Sequence, residues 1–182
     1  DFPAIIKAVE ILRLKKIPVM IFVAGDGRDF NSIVAEVKKR ELCSFIKFLG
    51  PHPLSSMPSF YAAADALLVS LKDDPAFFKT IPGKIQSYMA SGKPILTMLS
   101  GEGSRIVEEA LCGYVANSGD SDKLATNITK ICSLSDRELL LLGENARYYS
   151  EQEFNRDQLI TKLESWLVNL IDVRASHDSV KR

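Results

Sequence analysis

Long apolar runs and an excess of one charge are both missing from this sequence of 182 residues. No stretch approaches the roughly 20 consecutive apolar residues that a membrane-spanning helix needs. Lys plus Arg and Asp plus Glu both number 23, so the formal net charge is zero. A general nucleic-acid-binding protein needs a basic surplus. We therefore expect neither a transmembrane segment nor a nucleic-acid partner.

Cysteine and histidine are also scarce. Cys43, Cys112 and Cys132 lie far apart and match no zinc or redox spacing, which indicates buried free thiols in a reducing compartment. The two histidines, His52 and His177, are too few for a histidine-rich metal site, and nothing resembles a Ser/His/Asp triad. The chain shows no signal peptide and begins inside a predicted helix without Met, so we expect a cytoplasmic piece of a longer protein.

Short apolar runs alternate with amphipathic helical patterns along most of the chain. The composition, 46% hydrophobic and 25% charged, is that of an ordinary globular domain. The predicted strands are residues 18–24, 45–49, 66–71, 95–99 and 114–116. The main predicted helices are residues 2–16, 29–41, 54–64, 82–91, 120–133 and 135–149, and a further helix follows residues 100–104. This alternation predicts a single α/β domain over residues 1–150, with a doubly wound, Rossmann-like parallel sheet.

The C-terminal part of the chain is predicted to be a helix over residues 151–173, most regular over 154–172, and a polar tail over residues 174–182. The helix carries a broad apolar stripe that includes Leu163 and Trp166. We expect this stripe to pack on the domain. The alternative is that it covers a missing partner domain or a bilayer surface.

The stretch from Thr80 to Leu96 organises the predicted fold. Pro82 suits the first turn of a helix, and Gly92 suits the left-handed position that ends one. Between them, the apolar side chains at helical spacing are Ile85, Tyr88 and Met89. The apolar run from residue 95 to 99 is short enough for a buried parallel strand. The sequence therefore predicts a helix, a tight turn and a central strand.

The start of this helix is a candidate anion site. In a doubly wound sheet, ligands collect beyond the carboxyl ends of the strands, and the predicted helix starts at that edge. Free N–H groups at its first turn, together with the Lys84 ammonium, would attract a negative charge. The alternative is an ordinary crossover helix with a solvated lysine. A non-catalytic module of this kind would show Lys84 paired with a neighbouring carboxylate.

Other polar residues at the same edge are weaker candidates. Asp73 and Asp74 could bind a divalent cation, but two adjacent exposed aspartates are more typical of a solvated loop, and we expect no metal. The segment Gly25–Gly27 is a weak dinucleotide signal because no further glycines follow at the required spacing. His52 suits either a ligand contact or a structural role in its prolyl turn. Arg105 suits a phosphate contact less well than an exposed surface position.

Four motifs in order resemble a known family. They are Val23–Gly27, Phe48–Gly50, Tyr61–Val69 and Pro82–Ile95. Together they are similar to the C-terminal, nucleotide-sugar-binding domain of GT-B glycosyltransferases, closest to family 4, the retaining group 1 enzymes. The segment Thr80–Tyr88 is similar to that of bacterial enzymes that make surface polysaccharides, including transferases of N-acetyl-L-fucosamine.

The resemblance implies a donor site for a nucleotide diphosphate sugar, with UDP as the expected nucleotide and without a metal or another cofactor. The base would lie near Gly50 and His52, and the diphosphate against the start of the helix at residues 82–91. The donor-binding residues implied are Gly25, Gly50, His52, Pro82, Gly83, Lys84, Ser87, Gly101 and Ser104. The sugar would lie beside residues 100–104, and the acceptor would come from a missing N-terminal domain. The full enzyme would work in the cytoplasm or at the inner face of the cell membrane.

The sequence departs from the family pattern at two positions. The two glutamates usual in the family correspond to Lys79 and Ser87, and neither is acidic. The first strand of the family domain, with its phosphate-binding Arg and Lys, is expected just before Asp1 and is absent here. Two alternatives therefore stay open: a non-catalytic doubly wound binding module, and a GT-B protein similar to UDP-sugar 2-epimerases.

Overall fold

A computed structural model describes the backbone of residues 1–180 and the side chains of residues 1–171. The strands in this part of the chain are β1 (Ile21–Ala24), β2 (Ile46–Gly50), β3 (Leu67–Ser70), β4 (Ile95–Met98) and β5 (Gly113–Ala116). The helices are α1 (Phe2–Leu14), α2 (Phe30–Lys39), α3 (Met57–Ala63), α4 (Pro75–Phe78), α5 (Gly83–Ser91), α6 (Glu102–Glu109), α7 (Ser121–Ser133), α8 (Asp136–Glu153) and α9 (Arg156–Val180). A 3-10 turn over Leu54–Ser56 precedes α3.

The parallel α/β architecture is confirmed, but the strands form two sheets instead of one. β1 pairs with β2, and β4 lies between β3 and β5; all three pairings are parallel. No ladder joins β1 to β3, so the two sheets are separate. The ladder between β1 and β2 also shifts register between Val23 and Ala24.

The core has two layers of helix, with β4 between them. All four residues of β4 are buried, as the apolar run predicts for a central strand. On one face, Leu96 and Met98 pack with apolar residues of α1 and α7. On the other face, Ile95 packs with residues of α5, α6 and α8, among them Met89 and Val107. This three-layer arrangement places the starts of the helices along one edge of the sheets.

Helix α5 has the predicted form. Gly92 follows it with φ +69° and ψ +40°, the left-handed conformation that ends the helix. Ile85 and Met89 are fully buried, and the ring of Tyr88 meets Tyr61 edge to face with centroids 5.1 Å apart. Pro82 is the N-cap residue and precedes the first helical turn by one position.

Four local predictions differ from the structure. The predicted buried strand at 18–24 is shorter and only half buried, and Phe22 is 58% exposed because no layer covers that face. The predicted loop 72–81 contains α4, which Asp74 caps through a hydrogen bond from the Ala76 N–H. Helix α6 begins already at Glu102. Asp1, which directly precedes the predicted helix at 2–16 and is of a type that can cap it, stands at the N-cap of α1, but its side chain makes no capping hydrogen bond.

The prediction that the last helix packs on the domain is wrong. The large apolar side chains of α9 from Leu159 to Ile171 are between 44% and 66% exposed. Helices α5, α6 and α8 already cover the sheet face that carries Ile95. The last aromatic contact of this layer joins Tyr149 of α8 to Phe154, which precedes α9. The backbone of α9 continues to Val180, into the region predicted as a polar tail, of which residues 181–182 lie outside the described part. Among the described residues, no helix has the length and apolar character to cross a membrane.

Candidate functional site

The loops that follow β3, β4 and β5 are tied together at the carboxyl edge of their sheet. The hydroxyl of Ser118 donates to the backbone carbonyl of Leu71 at 2.7 Å. The N–H of Ser118 in turn donates to Oγ of Ser100 at 3.5 Å. These contacts fix three loops beside the start of α5, where the sequence predicts an anion site.

The start of α5 offers unpaired hydrogen-bond donors. Ile85 donates its N–H to the carbonyl of Pro82, whereas the N–H groups of Gly83 and Lys84 bond to none of the residues described. Gly83 is exposed, and a Cβ atom built there would meet no atom within 4 Å. Lys84 is exposed and forms no ion pair with any described side chain. The paired lysine typical of a non-catalytic module is therefore not found.

The start of α1 shares this edge with two lysines. Burial lowers the pKa of the Asp1 amino group, and the charges of Lys72 and Lys84 lower it further. A Cβ on Gly119, in the loop after β5, would lie 3.9 Å from Oδ2 of Asp1. Lys72 and Lys84 therefore lie near enough to the start of α1 for their charges to act there, and positive charge at a helix start favours the binding of an anion.

The other sheet contributes partly exposed backbone at its own carboxyl edge. The N–H of Gly25 donates to the carbonyl of Gly50 at 2.7 Å. Both glycines have positive φ, +129° and +74°, and a Cβ on either would meet no atom within 4 Å. The ring of His52 is exposed and contacts Phe60 edge to face, with centroids 4.8 Å apart. A planar ligand could approach this backbone closely.

Three predicted site residues are engaged within the chain itself. Two of them donate a side-chain hydroxyl to a backbone carbonyl, and the third is a glycine with no room for a Cβ atom. The hydroxyl of Ser87 donates to the carbonyl of Gly83 at 3.2 Å. Gly101 has φ +93°, and a Cβ there would lie 2.3 Å from the Phe78 carbonyl oxygen. The hydroxyl of buried Ser104 donates to the Leu99 carbonyl at 2.6 Å, because the early start of α6 turns Ser104 inward. Contact of these residues with a donor stays a prediction.

Lys72 is the residue at this edge that the sequence interpretation missed. It directly follows the predicted strand 66–71, so the rule that ligands collect at the carboxyl ends of strands could have found it. Arg105, in contrast, forms ion pairs on the surface with Glu102 and Glu109, and these raise its pKa. The described residues contain no group of three or more His, Cys, Asp and Glu side chains placed to bind a metal ion.

Comparison with known proteins identifies the group to which this fold is related. A family model described as "Glycosyl transferases group 1" matches residues 2–133. A D-inositol 3-phosphate glycosyltransferase of Corynebacterium kroppenstedtii is 26% identical over 101 residues, which are 56% of this chain and 21% of that protein.

Solved glycosyltransferase structures share the fold. Anabaena HepE, crystallised with UDP and glucose, has a TM-score of 0.70 at 22% identity, over 91% of this chain and 45% of its own. TarM of S. aureus, in a complex that includes UDP, has a TM-score of 0.76 at 16% identity, over 91% and 31% of the two chains. WaaG, described as a glycosyltransferase involved in lipopolysaccharide biosynthesis, has a TM-score of 0.62 at 22% identity, over 84% and 38%. The chain spans less than half the length of each of these relatives.

Proposed function

The chain belongs to the glycosyl transferases group 1 family, and from this we propose that it is the donor-binding half of a retaining glycosyltransferase. Its donor is a nucleotide diphosphate sugar, with UDP as the nucleotide. One observation carries the proposal: Lys84 and the N–H groups of Gly83 and Lys84 are unpaired among the described residues at the start of α5. The complexes of HepE and TarM with UDP support this choice of nucleotide.

In this proposal, the diphosphate binds at the start of α5. The Lys84 ammonium and the two N–H groups neutralise its charge, and the dipole of α5 adds to the attraction. Lys72 supplies a second positive charge from the neighbouring loop. As the bond from the sugar to the diphosphate breaks, negative charge grows on the leaving group, and these fixed donors stabilise it without a metal.

The base and the sugar occupy the flanks of the diphosphate. The base lies near residues 50–53, where free backbone groups can read its edge, and His52 lies beside it. Gly25 permits close approach on this side because no side chain fills the space above it. The sugar lies towards residues 100–104 and the α4 loop.

The acceptor is a glycan or a lipid-linked sugar in surface polysaccharide synthesis, in the manner of N-acetyl-L-fucosamine transferases. It binds to a separate N-terminal domain, and transfer requires closure of that domain over the donor. We therefore expect the present chain to bind donor without transferring sugar. The full enzyme works in the cytoplasm or at the inner face of the cell membrane.

Isothermal titration calorimetry of the chain with UDP tests this proposal. Lys84→Ala removes one charged hydrogen bond, so it should weaken UDP binding by about 1.5–3 kcal/mol, or roughly 10- to 150-fold in Kd. Lys39→Ala is the matched control, since Lys39 is also an exposed helical lysine but lies in the last turn of α2, at the opposite end of that helix from the loop that follows β1. The control should bind like the parent chain. Equal affinities of the Lys84→Ala chain and the parent chain would remove Lys84 from the site, and no binding by the parent chain would reject the proposal.

A further inference from the structure

The ends of α1 and α2 lie side by side at the amino edge of the sheet formed by β1 and β2. Helix α1 leads into β1, α2 leads into β2, and these two strands are parallel. Arg13, in the last turn of α1, donates through Nη1 to the backbone carbonyl of Arg40, just after α2, at 3.0 Å. This surface therefore lies at the opposite sheet edge from the loops that hold the candidate donor site.

Positive charge is concentrated at these two helix ends. Residues 10–16 and 36–41, which we call the basic surface, contain six lysine and arginine side chains and three glutamates, although the chain as a whole has no net charge. Both Glu10 and Glu36 pair with Arg40. Four exposed lysines of the basic surface form no ion pair with any described side chain: Lys15, Lys16, Lys38 and Lys39.

An apolar side chain protrudes among these cations. Leu14 directly precedes Lys15 and is 79% exposed, the highest value among the large apolar side chains of α1. Met20, in the segment that leads into β1, is 42% exposed. Lysines around a protruding apolar side chain suit the surface of an anionic bilayer, because the ammonium groups meet lipid phosphates while the apolar group enters the boundary with the acyl chains.

We propose that the basic surface docks on an anionic lipid bilayer, with its unpaired lysines on the headgroups and Leu14 inserted between them. A protein partner fits this composition less well, since lysine is depleted at the centres of protein interfaces. A nucleic acid would use the lysines but would leave Leu14 in water. The docked domain holds the carboxyl edges of its sheets, and with them the candidate donor site, away from the bilayer.

Co-sedimentation of the chain with lipid vesicles tests this proposal. One set of vesicles contains phosphatidylglycerol and phosphatidylcholine in equal parts, and the other contains phosphatidylcholine alone. The chain should bind the anionic vesicles at least about tenfold more tightly than the neutral ones, because each lysine near an anionic surface adds to the attraction. Added salt should weaken the binding, since it screens exposed charges.

Lys16 and Glu41 provide a matched pair of variants. Their φ angles are +55° and +57°, and they follow the ends of α1 and α2, where glycine is the usual residue. Lys16→Gly and Glu41→Gly therefore relieve the same backbone strain and should not destabilise the fold. They remove charges of opposite sign, so Lys16→Gly should weaken binding to the anionic vesicles about fivefold and Glu41→Gly should strengthen it about fivefold. Leu14→Gln should weaken it about tenfold.

The outcomes that would overturn the proposal are distinct. Equal binding by the two glycine variants would mean that another surface, such as the exposed apolar side chains of α9, holds the vesicles. Equal binding of anionic and neutral vesicles, or a Leu14→Gln chain that binds like the parent, would also reject docking in this form. Binding to a DNA duplex as tight as to the anionic vesicles would indicate a general site for polyanions instead. No UDP is present in these assays, so this proposal and the donor-site proposal can fail independently.

Discussion

Replacing Gly101 by Ala should destabilise the domain more than any other exchange of a surface glycine at this edge. Gly101 has φ +93° and ψ −152°, a conformation that L-residues with a Cβ avoid. A Cβ there would also lie 2.3 Å from the carbonyl oxygen and 2.5 Å from the Cα atom of Phe78. Relief requires that the α4 loop move away from the start of α6.

The expected cost follows from these two effects. Holding Ala in this backbone region costs about 1–3 kcal/mol, and forcing the loop apart adds about 1–3 kcal/mol. Because some relaxation is shared between the two effects, we expect a loss of about 2–4 kcal/mol in the free energy of unfolding. For a domain of this size, this lowers Tm by about 5–15 °C.

Urea denaturation followed by circular dichroism measures the change, with Gly27→Ala as the matched control. A Cβ on Gly27 would meet no atom within 4 Å, and its backbone needs no positive φ. The control should stay within about 1 kcal/mol of the parent chain. If Gly101→Ala unfolds at the same urea concentration as the control, the packing of Phe78 on Gly101 is not as described.

Three further predictions concern other parts of the molecule. The prediction of buried thiols is right for Cys112 and wrong for Cys43 and Cys132, which are exposed, and burial raises the pKa of the Cys112 thiol to about 12. A thiol reagent should therefore modify Cys43 and Cys132 in the native chain and Cys112 only after unfolding; three equally fast thiols would contradict this. Ser135→Ala removes a capping box and should cost about 1 kcal/mol at pH 7. Hydrogen bonds from Ser135 lower the pKa of Glu138 in the folded chain, so the stabilisation from the ionised Glu138 is fully present above the pKa that this group has in the unfolded chain. It is lost as the pH falls through the lower pKa of the folded chain. In urea titrations, a cost of Ser135→Ala that stays constant down to pH 3 would contradict the reasoning. Deletion of residues 156–182 should shift Tm by less than about 2 °C, since the described side chains of α9 are exposed, and a larger fall would show that α9 packs on the domain.

The sequence was sufficient to predict the parts of the fold that depend on local chemistry. Gly92 and the spacing of Ile85 and Met89 predict where α5 ends and which face it buries, and the structure agrees. The predicted helix at 135–149 is confirmed as α8, and its start depends on local chemistry too, because Ser135 and Glu138 form a capping box within one turn.

Features that depend on distant parts of the chain could not be read in this way. The apolar stripe of α9 predicts a buried face, but whether surface is left for it to cover depends on how α5, α6 and α8 pack. The division into two sheets depends on how far apart β1 and β3 lie in three dimensions. The sequence of β1 by itself predicts an ordinary buried strand. Ser104 was placed at the edge because the predicted helix starts after residue 104, three residues later than α6 does.

The candidate site was predicted by topology more than by motif. The rule that ligands collect at the carboxyl ends of parallel strands led to Gly83 and Lys84, whose donors are unpaired among the described residues. It did not indicate which loops approach each other. The proximity of Lys72 and Lys84 to the start of α1, and the tie between Ser118 and Leu71, emerge only from the three-dimensional structure.

An NMR titration of the ¹⁵N-labelled chain with UDP tests the central claim most directly, because it reports the position of the ligand as well as its affinity. We predict that the largest shifts fall on the backbone amides of Gly83 and Lys84, with a second group at Gly50 and His52. Shifts confined to other surfaces, such as the groove of about 270 Å³ between α1 and α2 lined by Phe2, Ile33 and Arg40, would contradict the account.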